Sequence, residues 1–294
     1  MPASTKRRPR LPQFYLRYFS NAKEQLRAHR TSERQPPYVS NVKKAVDDAA
    51  GFAIKLPDGL DAAKVESDLS EVEAGAKKAM DAILSGKFPP PGAERRLLAR
   101  WMMGHVLSIA WQKQPSARVF EHLLNDALSK IDREDSQRHL GELGLPVDDA
   151  ALDAYLKAIE DGDAETLLAN PDDNAVLRLH VADHAAQILM QRYWLLGISA
   201  TGGICTGDRP VLAYAGEHAE EVASGEHPEG AEQVYFPLGR RHVLALSLAG
   251  SFREEEAPLS ETDVDFVNSL VARASDRFVF QHPEDRVAKL TRRK

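Results

Sequence analysis

The chain of 294 residues is long enough to bury a substantial core, as one large domain or two small ones, and its apolar (43%) and charged (28%) shares are those of ordinary globular proteins. No apolar run is long enough to cross a bilayer, and the single cysteine, Cys205, excludes an internal disulfide framework and any multi-cysteine metal cluster. The net charge of −6 is uneven: residues 1–40 hold nine Lys and Arg against Glu24 and Glu33, which leaves −13 on the body and argues against general coating of nucleic acid.

Lys6 to Arg10 run straight into Leu11-Pro12-Gln13-Phe14 without a long apolar stretch, so a secretory leader is not expected and a reducing cytoplasm is the expected setting. Leu11, Phe14, Tyr15 and Tyr18 fall at helical spacing, with Pro12 suited to a first turn, and predict a short helix that buries its rings. Residues 30–37 read as a loop and 40–52 as helical. The clearest amphipathic helix is 61–85, where Val65, Leu69, Val72, Ala76, Met80 and Ile83 form one stripe and Gly86 ends it.

A stiff proline connector, residues 87–92, precedes an apolar helix over 93–113 with Leu97, Leu98, Trp101, His105 and Ile109 on one face. Pro115 breaks that pattern, and Val119, Phe120, Leu123, Leu124 and Leu128 begin another helix. Short helices and turns are expected over 132–171, then a long helix over 172–196. From Gly197 the chain changes to short β-prone runs bounded by turn residues, with Leu244, Leu246 and Leu248 alternating as in a half-buried strand. Ser260 with Asp263 three residues on opens a last helix through Ala274, and Phe278-Val279-Phe280 reads as a closing strand. The expected class is α+β: a basic aromatic segment (1–40) packing on the body, a helical region (41–196), and a region (197–294) with a small antiparallel sheet and a packed helix, as one continuous domain.

Six segments recur in a familiar order. They are Leu11-Pro12-Gln13-Phe14-Tyr15-Leu16-Arg17-Tyr18-Phe19; the helix holding Glu73; Lys113-Gln114-Pro115-Ser116-Ala117-Arg118; Trp194 with Ile204-Cys205-Thr206-Gly207-Asp208-Arg209-Pro210-Val211; Phe236-Pro237-Leu238-Gly239; and Val267-Asn268 through Val279. Together they resemble the bacterial family named domain of unknown function 4238, across nearly the whole chain. Pro9 stands where the family usually carries a histidine, and Lys113 where it carries an arginine, keeping charge but losing the planar fork. The family's function is unassigned, so the resemblance implies an architecture and candidate residues.

Several sharper motifs weaken on inspection. His180-Val-Ala-Asp183-His184 places two histidines on one helical face, as zinc requires, but Asp replaces the Glu of the peptidase pattern and no third ligand follows. Gly202-Gly203 lacks the surroundings of a phosphate loop and reads as a turn or bulge. Cys205 reads as a small buried residue. No metal or cofactor is expected. Phe14, Tyr15, Tyr18 and Phe19 beside Arg17 have the composition for stacking bases, yet their periodicity points most of them into a core, so nucleic-acid contact through residues 1–40 is disfavoured.

The segment Thr206 to Pro210 carries the main functional expectation. Asp208 at a strand end is expected to face Arg17 and Arg118 across a cleft, with Trp194 and Thr206 alongside and Asp208 or Glu73 as acid or base. Such a cluster suits a hydrolase or transferase acting on a small anionic substrate that bears a phosphate or a carboxylate, with Arg17 and Arg118 clamping the anion. Motif content favours that enzyme, and the alternative is a non-catalytic binding protein in which the arginines and aspartate only hold the helical and sheet parts together.

Overall fold

The computed structural model describes residues 7–8, 11–31, 36–48, 52–53, 62–108, 117–162, 175–214, 233–247 and 254–288. The departures at Pro9 and Lys113, together with Ile109 and Pro115, lie outside them. In chain order the elements begin β1 (Arg7–Arg8), α1 (Gln13–Arg17), β2 (Gln25–Arg30), β3 (Tyr38–Asn41), α2 (Val42–Asp48) and β4 (Phe52–Ala53). The helices α3 (Ala62–Leu84), α4 (Gly92–Leu107), α5 (Ala117–Ser129), α6 (Arg133–Glu142), α7 (Asp149–Glu160) and α8 (Ala175–Gln191) follow. The last part holds β5 (Tyr193–Ser199), β6 (Thr206–Gly207), β7 (Leu212–Tyr214), β8 (Gln233–Gly239), β9 (His242–Ser247), β10 (Glu255–Leu259), α9 (Glu261–Ala274) and β11 (Phe278–Gln281). No helix among the described residues is long and apolar enough to cross a membrane.

The class is α+β, but strands also occupy the first fifty residues, which corrects the expected layout. A four-stranded sheet runs β3-β2-β11-β6, so a strand from the basic segment pairs antiparallel with the closing strand, Ala28 opposite Phe280. A five-stranded sheet runs β10-β5-β9-β8-β7, and β1 pairs with β4 in a short ribbon. The larger sheet is mixed rather than antiparallel, because β10 runs parallel to β5, Ala257 opposite Gly197. The helix expected to reach residue 196 stops at Gln191, and Trp194, Leu195 and Leu196 belong to β5.

Sequence periodicity decides the helical layer. The stripe of α3 buries Val65, Val72, Ala76, Met80 and Ile83. Helix α4 is apolar on most sides and packs between α3 and α8. At the α3–α4 crossing a Cβ on Gly75 would lie 2.2 Å from Leu97 Cδ1, so glycine permits the close approach. Helix α9 starts with a capping box: the Ser260 hydroxyl accepts from the Asp263 amide while the Asp263 carboxylate accepts from the Ser260 amide.

Helical and sheet layers meet at a group of rings. Tyr15 of α1 stacks on Phe236 of β8 at 5.5 Å and 16°, and Trp101 of α4 lies 5.5 Å from Tyr15 and 5.6 Å from Phe236. His105, one turn beyond Trp101, packs edge-on at 4.1 Å and is buried, which drives its pKa down to about 3. Residues from α1 through β11 share this one main apolar cluster. A smaller cluster built on Val65, Leu140, Leu143, Leu152 and Val176 lies under α6 and α7.

Candidate functional site

The motif residues converge, though on a buried seam rather than an open cleft. Tyr15 Oη lies 2.8 Å from Thr206 Oγ1 and donates to the carbonyl of Pro237 at 2.8 Å, so three sequence segments meet at one phenol. Tyr15 and Thr206 are wholly enclosed, and burial pushes the phenol's pKa up. Trp194 is also fully buried; its indole N–H donates to the Leu189 carbonyl and the Arg95 guanidinium lies 4.5 Å over its ring.

Asp208 is fully enclosed, and its two carboxylate oxygens accept from the backbone amides of Asp276 (2.9 Å) and Arg277 (2.8 Å). This holds the turn between α9 and β11, while the neighbouring Arg209 pairs with the Asp276 carboxylate at 2.7 Å. Arg17 points elsewhere: its Nε donates to Glu24 at 2.9 Å, its Nη2 to Gln13 at 3.3 Å, and its side chain is 47% exposed. The expected Arg17–Asp208 contact is therefore not made. A carboxylate that already holds two amides inside the protein has no need of that guanidinium. The Arg118 side chain lies outside the described residues, and Glu73 sits half-buried in mid-α3.

A cleft of about 440 Å³ opens elsewhere. Its floor is the turn Ser199–Gly203 between β5 and β6, one wall is the face of α9 bearing Glu261, Val264, Asp265 and Asn268, and the other is 284–288. Gly202 and Gly203 both adopt positive φ (86° and 95°), and a Cβ on Gly202 would lie 2.9 Å from Arg240 Nε. The expectation of a turn at this glycine pair holds.

Side chains fasten the floor from three directions. Asn268 donates to the Gly203 carbonyl (2.8 Å) and accepts from the Cys205 amide (2.9 Å). Arg240, at the tip of the β8–β9 hairpin, donates through Nε to Asp285 Oδ1 (2.8 Å), whose other oxygen accepts from the Gly203 amide (3.1 Å). The Ser199 hydroxyl donates to the Gly202 carbonyl at 2.7 Å. Arg27 of β2 donates to the Asp285 carbonyl at 2.6 Å, bringing the basic segment to the rear of the same wall. The lining thus carries Glu261, Asp265 and Glu284 at its rim beside the pair of half-buried Arg240 and enclosed Asp285. Sequence reasoning missed Arg240 and Asp285, whose roles depend on a hairpin tip meeting the segment after the last strand.

Cys205 is wholly buried, its Sγ 2.9 Å from Asn268 Oδ1, and burial pushes the thiol's pKa up. The two histidines of the zinc-like pattern already have neighbours: His180 Nδ1 lies 3.1 Å from Tyr155 Oη, and His184 Nε2 lies 3.7 Å from Asp135. Between them Asp183 pairs with Arg100, while burial lifts its pKa to about 6 against that attraction. Among the described residues no group of three or more His, Cys, Asp or Glu is disposed to hold a metal ion.

A family model described as protein of unknown function (DUF4238) matches residues 11–285, and the chain belongs to that family. No curated protein and no solved structure matches it.

Proposed function

We propose that this member of the family is a non-catalytic binding protein which takes a small polar ligand in the cleft between the Gly202–Gly203 turn, α9 and residues 284–288. The observation that carries this reading is the enclosure of Asp208: both its oxygens are held by backbone amides, a structural task that keeps it from solvent. The cleft has the concave form and the few convergent polar groups of a ligand site. Its Ser199 hydroxyl is engaged with its own turn, so it is not poised as a nucleophile.

The competing reading is a hydrolase or transferase for an anionic substrate bearing a phosphate or a carboxylate, working through Arg17, Arg118 and Asp208 or Glu73. It is weaker because Arg17 is exposed on Glu24 and Asp208 is enclosed. Nucleic acid is not the proposed partner: the Tyr15 and Phe19 rings are fully buried and have no face to offer a base. A cytoplasmic location is part of the proposal, in keeping with the single free thiol.

The test is a thermal-shift screen of the purified chain against small polar metabolites, repeated with Asp265→Arg, which alters an exposed wall residue. A stabilising compound whose effect vanishes in that variant supports the cleft. Stabilisation that persists places the ligand elsewhere, and consumption of the compound would favour the enzyme.

A further inference from the structure

Two pairs of side chains spaced four residues apart interlock where α6 lies against α8. Asp135 and His139 share one face of α6, and His180 and His184 share one face of α8. Across the contact Asp135 meets His184 at 3.7 Å, and the His139 ring stacks on the His180 ring with centroids 4.3 Å apart and planes 9° from parallel. His139 Nε2 lies 3.1 Å from the carbonyl of Val176, an acceptor, so that nitrogen carries the proton. Tyr155 of α7 closes the group through its contact with His180 Nδ1.

We infer that this histidine zipper is an acid-operated latch, which holds the α6–α7 hairpin on α8 while the stacked rings are neutral and releases it when they are protonated.

The hairpin suits such a device because α6 and the start of α7 rest on the smaller apolar cluster through Leu140, Leu143 and Leu152, and only the later part of α7, at Tyr155, Leu156 and Ile159, reaches the ring-centred core. Stacked neutral imidazoles attract, whereas two imidazolium rings at 4.3 Å repel in a site with little water. Burial is the leading cause that keeps all three histidines below their ordinary pKa, with His180 at about 3.

The charges facing the zipper act in both directions. Arg138 disfavours a proton on His180 and His184, Arg100 of α4 disfavours one on His139, and Lys130 adds to the effect at His184. Asp135 and Asp132 favour a proton on His184, and Glu142 with Asp68 of α3 favours one on His139. The outer pair, Asp135–His184, therefore tightens in acid, while the inner pair, His139–His180, opens. Asp183, on the same helix, is occupied by Arg100.

A histidine whose docked pKa is depressed binds its proton more tightly once released. Latch stability is thus complete above the free value near 6.5 and is lost progressively as pH falls toward about 3. For His180 alone that linkage is worth about a hundredfold in the docking equilibrium at pH 4.5.

The experiment is amide hydrogen exchange on the full chain at pH 7 and pH 4.5, corrected for intrinsic rates, with β8 and β9 as the internal reference. Protection of α6 and α7 is expected to fall about tenfold or more and to lie below that of β8 and β9, which lose theirs only through opening of the whole core, His105 included. The double variant His139→Phe/His180→Phe retains flat stacked rings without a proton site and is expected to remove the acid response. Unchanged protection of the hairpin in acid would overturn the latch, as would hairpin amides that open only together with β8 and β9. An acid response that survives in the phenylalanine pair would overturn it too. The wild-type measurement decides by itself if the variant does not fold.

Discussion

Tyr15 and Thr206 are 191 residues apart in sequence and share a buried hydrogen bond of 2.8 Å. That contact, with the second one from Tyr15 to Pro237, fastens the first helix to an edge strand of one sheet and to an inner strand of the other. Tyr15→Phe and Thr206→Val should each cost about 1–3 kcal/mol, because a buried polar partner is left unsatisfied. Their combination should cost less than the sum, since both remove the same bond. Urea midpoints of the two singles and the double measure this; strictly additive losses would mean that the bond is absent in solution.

Trp101 is the hub of the ring cluster, touching Tyr15, Phe236 and His105. Trp101→Ala should destabilise the protein by about 3–5 kcal/mol, the usual cost of deleting a large enclosed side chain. An unchanged urea midpoint would place α4 against solvent instead of in the core.

Asp208 and Arg17 should behave as strangers. Asp208→Ala strands two backbone amides and should cost about 3 kcal/mol or more. Arg17→Ala removes an exposed pair with Glu24 and should cost at most about 1 kcal/mol. The double substitution should be additive within about 0.5 kcal/mol. A larger coupling would restore a shared Arg–Asp site.

The thiol of Cys205 should be silent in the native protein. It is fully enclosed, its pKa is pushed up by burial, and it contacts Asn268. Labelling with an aromatic disulfide reagent at pH 8 should follow unfolding, rising with urea along the same curve as tryptophan fluorescence. Rapid labelling without denaturant would show that the strand at Cys205 opens locally.

The parts of this structure that sequence anticipated are those coded by near neighbours. The stripe of α3 and the Ser260–Asp263 box of α9 are complete within a few turns of chain, so periodicity and capping chemistry suffice. Strand β2 escaped notice because Gln25-Leu26-Arg27-Ala28-His29-Arg30 has little β-prone character; its burial comes from β11. Trp194-Leu195-Leu196 continued an apolar helix pattern with no glycine or proline before Gly197, and only pairing with β9 and β10 makes it a strand. Strand β10 carries two glutamates and Pro258, tolerable at a sheet edge and uninformative in a sequence.

The site was less legible than the fold for a related reason. The same aspartate beside x-Pro suits an open catalytic cleft and an enclosed turn, and composition cannot choose between them. Asp208 is decided by where the amides of Asp276 and Arg277 arrive. The cleft is made by Arg240 reaching Asp285, two positions with no motif in common. The notable success was indirect: the segments of Tyr15 and Thr206 do meet, through the phenol and the hydroxyl rather than through Arg17 and Asp208.

The pairing of β2 with β11 has a consequence for how the protein is made. Ala28 must wait for Phe280, about 250 residues later, before its strand has a neighbour on that side. At a ribosome adding roughly 5–20 residues per second, that delay is about 12–50 s. Throughout it, the unpaired edge of β2 is available to other nascent chains. The arginines at positions 27 and 30 put like charge on that strand, which opposes its pairing with the same strand of a sister chain.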